Sequence, residues 1–309
     1  MMWSRCLPAM LLGGCSAASP PPCPPRASPT PQTVPIPSPP VAEVLKLAPY
    51  QSHGHRSIQV VVGGQPETFL FDTGGGVTFV APRLAEAAGC EPFGQLVGYR
   101  MRGDRVNFAR CDELALQIDG VKRPPSTVGV FDISPMLPPD WPELGGLVAL
   151  SSFEGQRVKL DLAGQRVSVS APAPEPSGTP LRIVRQASGY SIVVLVPAKT
   201  AKGPLWLELD SGSDAPLILS PAAAKMLGVD LEAPEVEHHP AEKGQPASWH
   251  VPSVTLELPD VGSITTPAKV MDIIYDGNLG VPLIERFIWD LDLAHHRVRV
   301  EPTPSGASR

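Results

Sequence analysis

The sequence predicts an all-β protein built from two related halves, and three observations support this prediction. Two hydrophobic runs each end in an acidic residue, a hydroxyl residue and a glycine: Asp72-Thr73-Gly74 and Asp210-Ser211-Gly212. The surroundings of these two motifs are themselves repeated along the chain. Finally, 39 prolines and 28 glycines among 309 residues favour many turns over long helices.

The internal repeat extends well beyond the two acidic motifs. Residues 161–169 (DLAGQRVSV) match residues 292–300 (DLAHHRVRV), and the match continues back to 146–149 against 277–280. Matching elements therefore follow one another in the same order in both halves. Because repetition on this scale says more about architecture than a single motif does, it predicts two lobes of similar length.

Each half is expected to begin with hydrophobic strands that lead into its acidic motif. Apolar and β-branched residues dominate these runs, which are bounded by glycine or proline. A short helix should follow in each half, because a proline stands near its start and a glycine just past its end. The expected strands are 58–62, 67–71 and 77–80 in the first half and 190–196, 205–209 and 217–219 in the second; the expected helices are 82–89 and 221–227.

Together, the motifs and the repeat resemble the pepsin/retropepsin clan of aspartic proteases, and specifically a bacterial, two-lobed, single-chain member. The resemblance covers residues 50–302 and includes a later apolar-apolar-Gly element in each half. It implies a pepsin-like fold of two related β-barrel lobes, 42–170 and 181–302. A Pro-rich linker over 171–180 would join them, and 303–309 would form a tail. One aspartate from each lobe would meet the other in a central cleft.

The resemblance implies that Asp72 and Asp210 are catalytic. Two neighbouring carboxyls cannot both ionise cheaply, so they share a proton; one can then activate water while the other donates to a peptide carbonyl. Thr73 and Ser211 would bond to the backbone of the opposite lobe, and the following glycines would let N–H groups approach the carboxylates. The expected activity is that of an aspartic endopeptidase acting on peptides or proteins without a cofactor. The alternative is that both motifs are structural, with each aspartate capping a turn.

Four positions depart from, or bear on, the pattern of the clan. Gly75 replaces a Ser or Thr that bonds the catalytic carboxylate in pepsins, which should raise the pKa of Asp72. Ser213 keeps a hydroxyl at the equivalent position of the second half. Ala149 replaces the glycine of the later element, and Asn278 replaces an apolar residue in its second copy. These departures leave open a second function, that of a catalytically silent peptide-binding lipoprotein of the cell envelope on the same fold.

Residues 98–104 lie where the clan often has a flap, a hairpin that closes over the cleft. In that case Gly103 would form the tip and Tyr99 would line the cleft. An ordinary exposed hairpin is the alternative. Cys90 and Cys111 are expected to pair if the compartment is oxidising, which would clip the base of this hairpin.

The N-terminus resembles a bacterial lipoprotein signal peptide over residues 1–15. Arg5 precedes a short apolar run, and Leu12-Gly13-Gly14-Cys15 resembles a lipobox. The run is too short to span a bilayer, so the resemblance implies a monomer held at the membrane by lipid on Cys15. A plain signal peptide is the alternative. Residues 16–41 would form a Pro-rich tether or, less simply, a ligand for a Pro-binding partner.

Other features bear on location and on partners. Ser16 after Cys15 favours the outer membrane if the source is Gram-negative, with the protein facing the periplasm or the exterior. A net charge of −6 argues against a nucleic-acid partner. The histidine pairs at 238–239 and 295–296 do not predict a metal site, because zinc needs three or four converging ligands and neighbouring residues on a strand point apart.

Overall fold

Strands are far more abundant than helices among the residues that the structure describes, and the prediction of an all-β fold is confirmed. The structure is a computed structural model, and it describes residues 42–51, 54–186, 189–242 and 246–304. The expected signal peptide, the lipidation of Cys15 and the tether lie outside the described residues. None of the helices within the described ranges is both long enough and apolar enough to span a membrane.

The first half contains thirteen strands and one short α-helix, α1 (Pro82–Ala87), among its described residues. Its strands are β1 (Glu43–Lys46), β2 (Ala48–Tyr50), β3 (His55–Val62), β4 (Gln65–Phe71), β5 (Phe79–Val80), β6 (Phe93–Tyr99), β7 (Arg105–Leu114), β8 (Leu116–Ile118), β9 (Val121–Lys122), β10 (Ser126–Val130), β11 (Gly146–Val148), β12 (Arg157–Asp161) and β13 (Arg166–Ser170). Short 3-10 helices occur at Ser134–Met136 and Leu150–Phe153.

The second half contains a similar set of elements, with α2 (Pro221–Met226) and α3 (Val281–Ile284) as its helices. Its strands are β14 (Thr179–Pro180), β15 (Arg182–Arg185), β16 (Ile192–Ala198), β17 (Leu205–Leu209), β18 (Leu217–Leu219), β19 (Glu237–His239), β20 (Ser248–Leu258), β21 (Gly262–Met271), β22 (Gly277–Leu279), β23 (Phe287–Asp292) and β24 (Arg297–Pro302). Both α1 and α2 begin with proline, and the Ser220 hydroxyl accepts from the Ala223 N–H to cap α2.

Two of the three sheets repeat one order of strands. The first sheet runs β3-β4-β11-β5-β10-β7 through its centre, and the second runs β16-β17-β22-β18-β21-β20. The neighbours alternate in the same way in both, antiparallel then parallel, from one end to the other. The repeat seen in the sequence is therefore a repeat of topology.

The third sheet contains strands from both halves. Its order is β1-β13-β12-β23-β24-β14, so the hairpin that closes each half pairs with the other at β12 and β23. Arg157 on β12 makes a two-pronged ion pair with Asp290 on β23, with Nε 2.7 Å from Oδ1. An arginine fork on a carboxylate adds geometric specificity as well as energy, so this diagonal pair supports the pairing of the two hairpins.

Alternation of side chains explains where the core lies. In β3, Ile58, Val60 and Val62 are buried while Gln59 points to solvent, as the period of two in a strand requires. The core continues from the first sheet through the third sheet, where Trp289 is fully buried and its indole N–H donates to the Ile284 carbonyl at 3.0 Å. Residues of both β4 and β17 belong to this core, which anchors the ends of the two strands.

Several strand boundaries differ from the sequence-based expectation by two or three residues, and three further differences have a structural explanation. The strand expected over 77–80 is only Phe79–Val80, because Val77 N–H bonds the Gly75 carbonyl in a tight turn. The end of the expected linker, Thr179–Pro180, pairs with β24 as an edge strand. In the expected tail, Thr303 is buried and bonds the Arg286 carbonyl, so the packed structure extends past residue 302.

Candidate active site

The two acidic residues leave equivalent strands in equivalent ways. Asp72 follows β4 and its N–H donates to the Val148 carbonyl at 3.0 Å; Asp210 follows β17 and donates to the Leu279 carbonyl at 2.9 Å. In each case the acceptor is the last residue of the neighbouring parallel strand, β11 or β22. The apolar strands therefore bring both carboxylates to the same kind of turn.

The glycines of the two motifs make room for the opposite carboxyl. Gly74 N–H donates to Asp72 Oδ1 at 2.9 Å, and Gly212 N–H donates to Asp210 Oδ1 at 2.8 Å. A Cβ on Gly74 would lie 2.5 Å from the carboxyl carbon of Asp210, and one on Gly212 would lie 2.8 Å from that of Asp72. Any larger residue at either position would push the two carboxyls apart.

Two buried hydroxyls cross between the motifs, and we call them the crossed hydroxyls, Thr73 and Ser211. Thr73 Oγ1 donates to the Leu209 carbonyl at 2.6 Å and accepts from Ser211 N–H at 2.9 Å. Ser211 Oγ donates to the Phe71 carbonyl at 3.0 Å and accepts from Thr73 N–H at 3.0 Å. Each hydroxyl satisfies two buried backbone groups of the other half, so the two turns are fixed relative to each other.

The carboxyl pair, Asp72 and Asp210, has the electrostatics of a shared proton. Burial raises the pKa of Asp72 well above its ordinary value, and the neighbouring charge of Asp210 raises it further, while the hydrogen bond from Gly74 N–H acts in the opposite direction. Burial and Asp210 are thus the main causes of the raised pKa of Asp72, and the effect expected from the missing hydroxyl at Gly75 stays a prediction. One carboxyl of such a pair can hold a proton while the other carries the charge.

The missing hydroxyl at Gly75 has a steric explanation. A Cβ there would lie 2.6 Å from Leu147 Cδ1, so Leu147 fills the space that a serine would need. In the second half, the structure gives Ser213 a backbone role: its carbonyl accepts from Val281 N–H at 2.9 Å. Among the described hydrogen bonds, the outer oxygen of Asp210 is bonded by Asn278 rather than by the Ser213 hydroxyl.

Two polar residues beside the pair were not assigned a role from the sequence, Glu208 and Asn278. Glu208 is only 4% exposed and Asn278 is fully buried. The Asn278 amide nitrogen lies 2.7 Å from Asp210 Oδ2 and 3.3 Å from Glu208 Oε2. Burial, and then the charge of Asp210, raise the pKa of Glu208 well above its ordinary value.

A signal for these two residues was present in the sequence. Glu208 interrupts the apolar run LWLEL of β17, and Asn278 stands in a position that is usually apolar. The link between them depends on the parallel pairing of β17 with β22, which places Glu208 directly beside Asn278. Register across a sheet cannot be read from either strand alone.

A cavity of about 400 Å³ opens onto the carboxyl pair. Its volume is in the range of sites that bind small molecules or short peptide segments. Its first-half wall is mainly apolar, and its second-half wall carries polar and acidic groups. The apolar wall includes Leu70, Phe79, Phe108, Phe131 and Leu147, and the polar wall includes Ser191, Glu208, Asp214 and Tyr275.

The hairpin formed by β6 and β7 borders this cavity. Tyr99 and Met101 line it, although the Tyr99 side chain is 56% exposed. Gly103 lies in the turn with a φ of +84°, which favours glycine. Ile274 N–H donates to the Met101 carbonyl at 2.9 Å, so the hairpin tip is bonded to a segment of the second half.

Cys90 and Cys111 form a disulfide in the structure. Cys111 is fully buried in β7, and Cys90 follows α1, so the bond ties the helix region to one strand of the hairpin.

The histidine pairs at 238–239 and 295–296 contact other side chains. His238 stacks on Trp249 with ring centres 4.9 Å apart, and His295 bonds Asp292. Within the described ranges, no cluster of three or more His, Cys, Asp and Glu side chains is arranged to hold a metal ion.

Comparison with known proteins gives a likeness in fold but not in sequence family. No protein-family model and no curated protein sequence matches this chain. The structure is similar to solved structures, among them one titled "Crystal structure of edgp", with a TM-score of 0.51 and 11% sequence identity. The similarity covers 86% of this chain and 96% of that chain. At this level of identity, the likeness supports the all-β fold alone.

Proposed function

We propose that this protein is an aspartic endopeptidase with a two-lobed, pepsin-like fold. The observation that carries the proposal is the crossing of two equivalent strand ends, which brings the Asp72 and Asp210 carboxyls together. The repeated strand order of the two large sheets supports the two lobes. In this proposal the hairpin with Gly103 at its tip is a flap over the cleft, and it opens by breaking the bond between Ile274 and Met101.

Catalysis would follow from one proton shared between two carboxyls. The ionised carboxyl accepts a proton from a water molecule, whose oxygen attacks the peptide carbonyl carbon, while the protonated carboxyl donates to the carbonyl oxygen. The intermediate that forms is not covalently attached to the protein. The crossed hydroxyls keep the two carboxyls at a fixed separation, which lowers the cost of reaching the reactive geometry.

The substrate would be a peptide or a segment of a protein. The apolar wall of the cavity, with Phe79, Phe108 and Leu147, suits a large apolar side chain next to the scissile bond. We further propose that the protein acts in the cell envelope as a lipid-anchored monomer. The sequence over 1–15 with its terminal Cys15 supports this location.

The proposal is tested by cleavage of an unbiased peptide library with the full-length protein in detergent, from acid to neutral pH. The Asp72→Asn and Asp210→Asn variants should each lose cleavage. Asp214→Asn is the matched control, because Asp214 is exposed and lines the same cavity but lies outside the pair; it should keep most of the activity. Cleavage that survives in both pair variants would refute the mechanism. Peptide binding without cleavage at any pH would favour the silent binding protein instead.

A further inference from the structure

The two halves of the carboxyl pair have the same backbone but different neighbours. In the first half, β4 and β11 place Leu70 beside Leu147 next to Asp72. In the second half, β17 and β22 place Glu208 beside Asn278 at the equivalent positions. An apolar pair on one side thus corresponds to a polar pair on the other. The pseudosymmetry of the pair is broken at this point.

We propose that Asn278, oriented by Glu208, is a positioning residue that holds the charge of the pair on Asp210 and leaves the shared proton on Asp72. This inference rests on the proposed function, because it assigns the base and the acid of that reaction. It would make Asp210 the group that accepts the proton of water. Asp72 would be the group that donates to the peptide carbonyl.

The hydrogen bonds favour this assignment. The Asn278 amide donates to Asp210 Oδ2 at 2.7 Å, and a donor bonds more strongly to an ionised carboxylate than to a neutral carboxyl. Asn278 itself is fully buried, so its amide is shielded from solvent, while Asp210 faces the cavity. The equivalent residue beside Asp72 is Leu147, whose side chain has no donor. Asp72 has backbone donors in Gly74 and Gly212. Among the described hydrogen bonds, however, only Asp210 also has a side-chain donor, and this favours the charge on Asp210.

Glu208 gives the amide its orientation. Its Oε2 accepts from the same nitrogen at 3.3 Å, which directs the Asn278 amide nitrogen toward both carboxyls. The charged groups that raise the pKa of Glu208 are Asp210, just past the end of its own strand, and Asp72. Glu208 in turn faces Tyr275, whose pKa is raised to about 12 by burial and by Glu208. Strand β16 on its other side carries no ionisable side chain. Burial and these carboxylates favour the neutral form of Glu208, so it does not repel the charge on Asp210.

The reaction cycle balances with these roles. Water gives a proton to Asp210 while its oxygen bonds to the peptide carbon, and the proton of Asp72 passes to the carbonyl oxygen, giving a neutral diol. When the diol collapses, the proton on Asp210 passes to the amide nitrogen as the C–N bond breaks. A diol hydroxyl returns its proton to Asp72. The pair ends in its starting state, with the proton on Asp72.

Two measurements test the assignment, and the first requires no catalysis. Carbon-13 labelling of the aspartate carboxyls in the full-length protein, with signals assigned from Asp72→Asn and Asp210→Asn, reports which carboxyl is protonated in the singly ionised pair. We expect a protonated signal from Asp72 and a carboxylate signal from Asp210. The reverse pattern would overturn the inference even if the protein cleaves peptides, and the result stands even if it cleaves none.

The second measurement is the pH profile of kcat/KM for Asn278→Leu, which copies the first-half residue into the second half. Loss of the donor destabilises the ionised pair, so the acid limb should move upward by about one pH unit. Glu208→Gln keeps a neutral acceptor for Asn278 and should leave that limb in place. A rate that falls equally at every pH in Asn278→Leu would mean that Asn278 only supports the fold, and would overturn the inference.

Discussion

Replacing Thr73 by valine removes one of the two crossed hydroxyls while keeping the shape of the side chain. The change deprives the buried Leu209 carbonyl and the buried Ser211 N–H of their partner. An unsatisfied buried backbone group costs about 1–3 kcal/mol, so the two together should lower the free energy of unfolding by about 2–6 kcal/mol. That is a large fraction of the stability of an ordinary protein.

Urea denaturation followed by tryptophan fluorescence measures this loss, and Thr78→Val provides the matched control. Thr78 is as buried as Thr73, at 2% exposure, and its hydroxyl bonds Ser152 Oγ and Ala149 N–H. Those bonds stay within the first half. Both variants should therefore be less stable than wild type, but only Thr73→Val should also impair the carboxyl pair.

A double-mutant cycle with Ser211→Ala distinguishes a hydroxyl that joins the two halves, Thr73, from one that bonds within the first half, Thr78. Thr73 and Ser211 bond each other's backbone, so their effects on the free energy of unfolding should be coupled by about 1 kcal/mol or more. Thr78 and Ser211 share no partner and should be additive within about 0.5 kcal/mol. Two results would refute the idea that these hydroxyls join the halves. One is a loss of unfolding free energy below about 0.5 kcal/mol for Thr73→Val, and the other is additive losses in Thr73→Val and Ser211→Ala.

Three further predictions concern the disulfide, the glycine contact and the buried glutamate. Replacing Cys90 and Cys111 by alanine should lower the unfolding free energy by about 2–4 kcal/mol, measured by urea denaturation; no change would show that the bond is dispensable. Gly74→Ala should abolish cleavage in a peptide assay, because its Cβ would clash with Asp210, and retained activity would contradict that geometry. The pKa of Glu208 is raised in the folded protein, so its contribution to stability is full below the pKa of the unfolded chain and is lost as pH rises through the folded pKa. Glu208→Gln should therefore raise Tm more at pH 8 than at pH 4. Each unit between the folded and unfolded pKa corresponds to about 1.4 kcal/mol of unfolding free energy. An equal change in Tm at both pH values would contradict the neutral burial of Glu208.

The sequence predicted the all-β class because the relevant signals are local or repeated. Residues 69–71 and 207–209 are apolar runs that stop at an aspartate, and a reader of the sequence can align them directly. The short helices α1 and α2 were also predicted, since Pro82 and Pro221 mark their starts, but α3 was not. Such features depend on residues that are close together in the chain.

The features that were missed depend on contacts between distant segments. Glu208 and Asn278 are 70 residues apart, and only the parallel register of β17 with β22 places them together. In the sequence, Asn278 is a departure from the pattern of the clan and favours the catalytically silent alternative. The structure gives it a bond to Asp210, which changes what the departure means. The pairing of Thr179–Pro180 with β24 was missed for the same reason.

The most direct test of the central claim compares kcat/KM for three variants on one cleaved peptide: Asp72→Asn, Asp210→Asn and the double variant. If the two carboxyls act as one unit, each single change should lower kcat/KM by roughly a thousandfold or more, and the double change should lower it little further. A shared catalytic pair would be contradicted if the fold-losses in kcat/KM of the two single variants multiplied in the double variant. It would also be contradicted if one single variant kept nearly full activity.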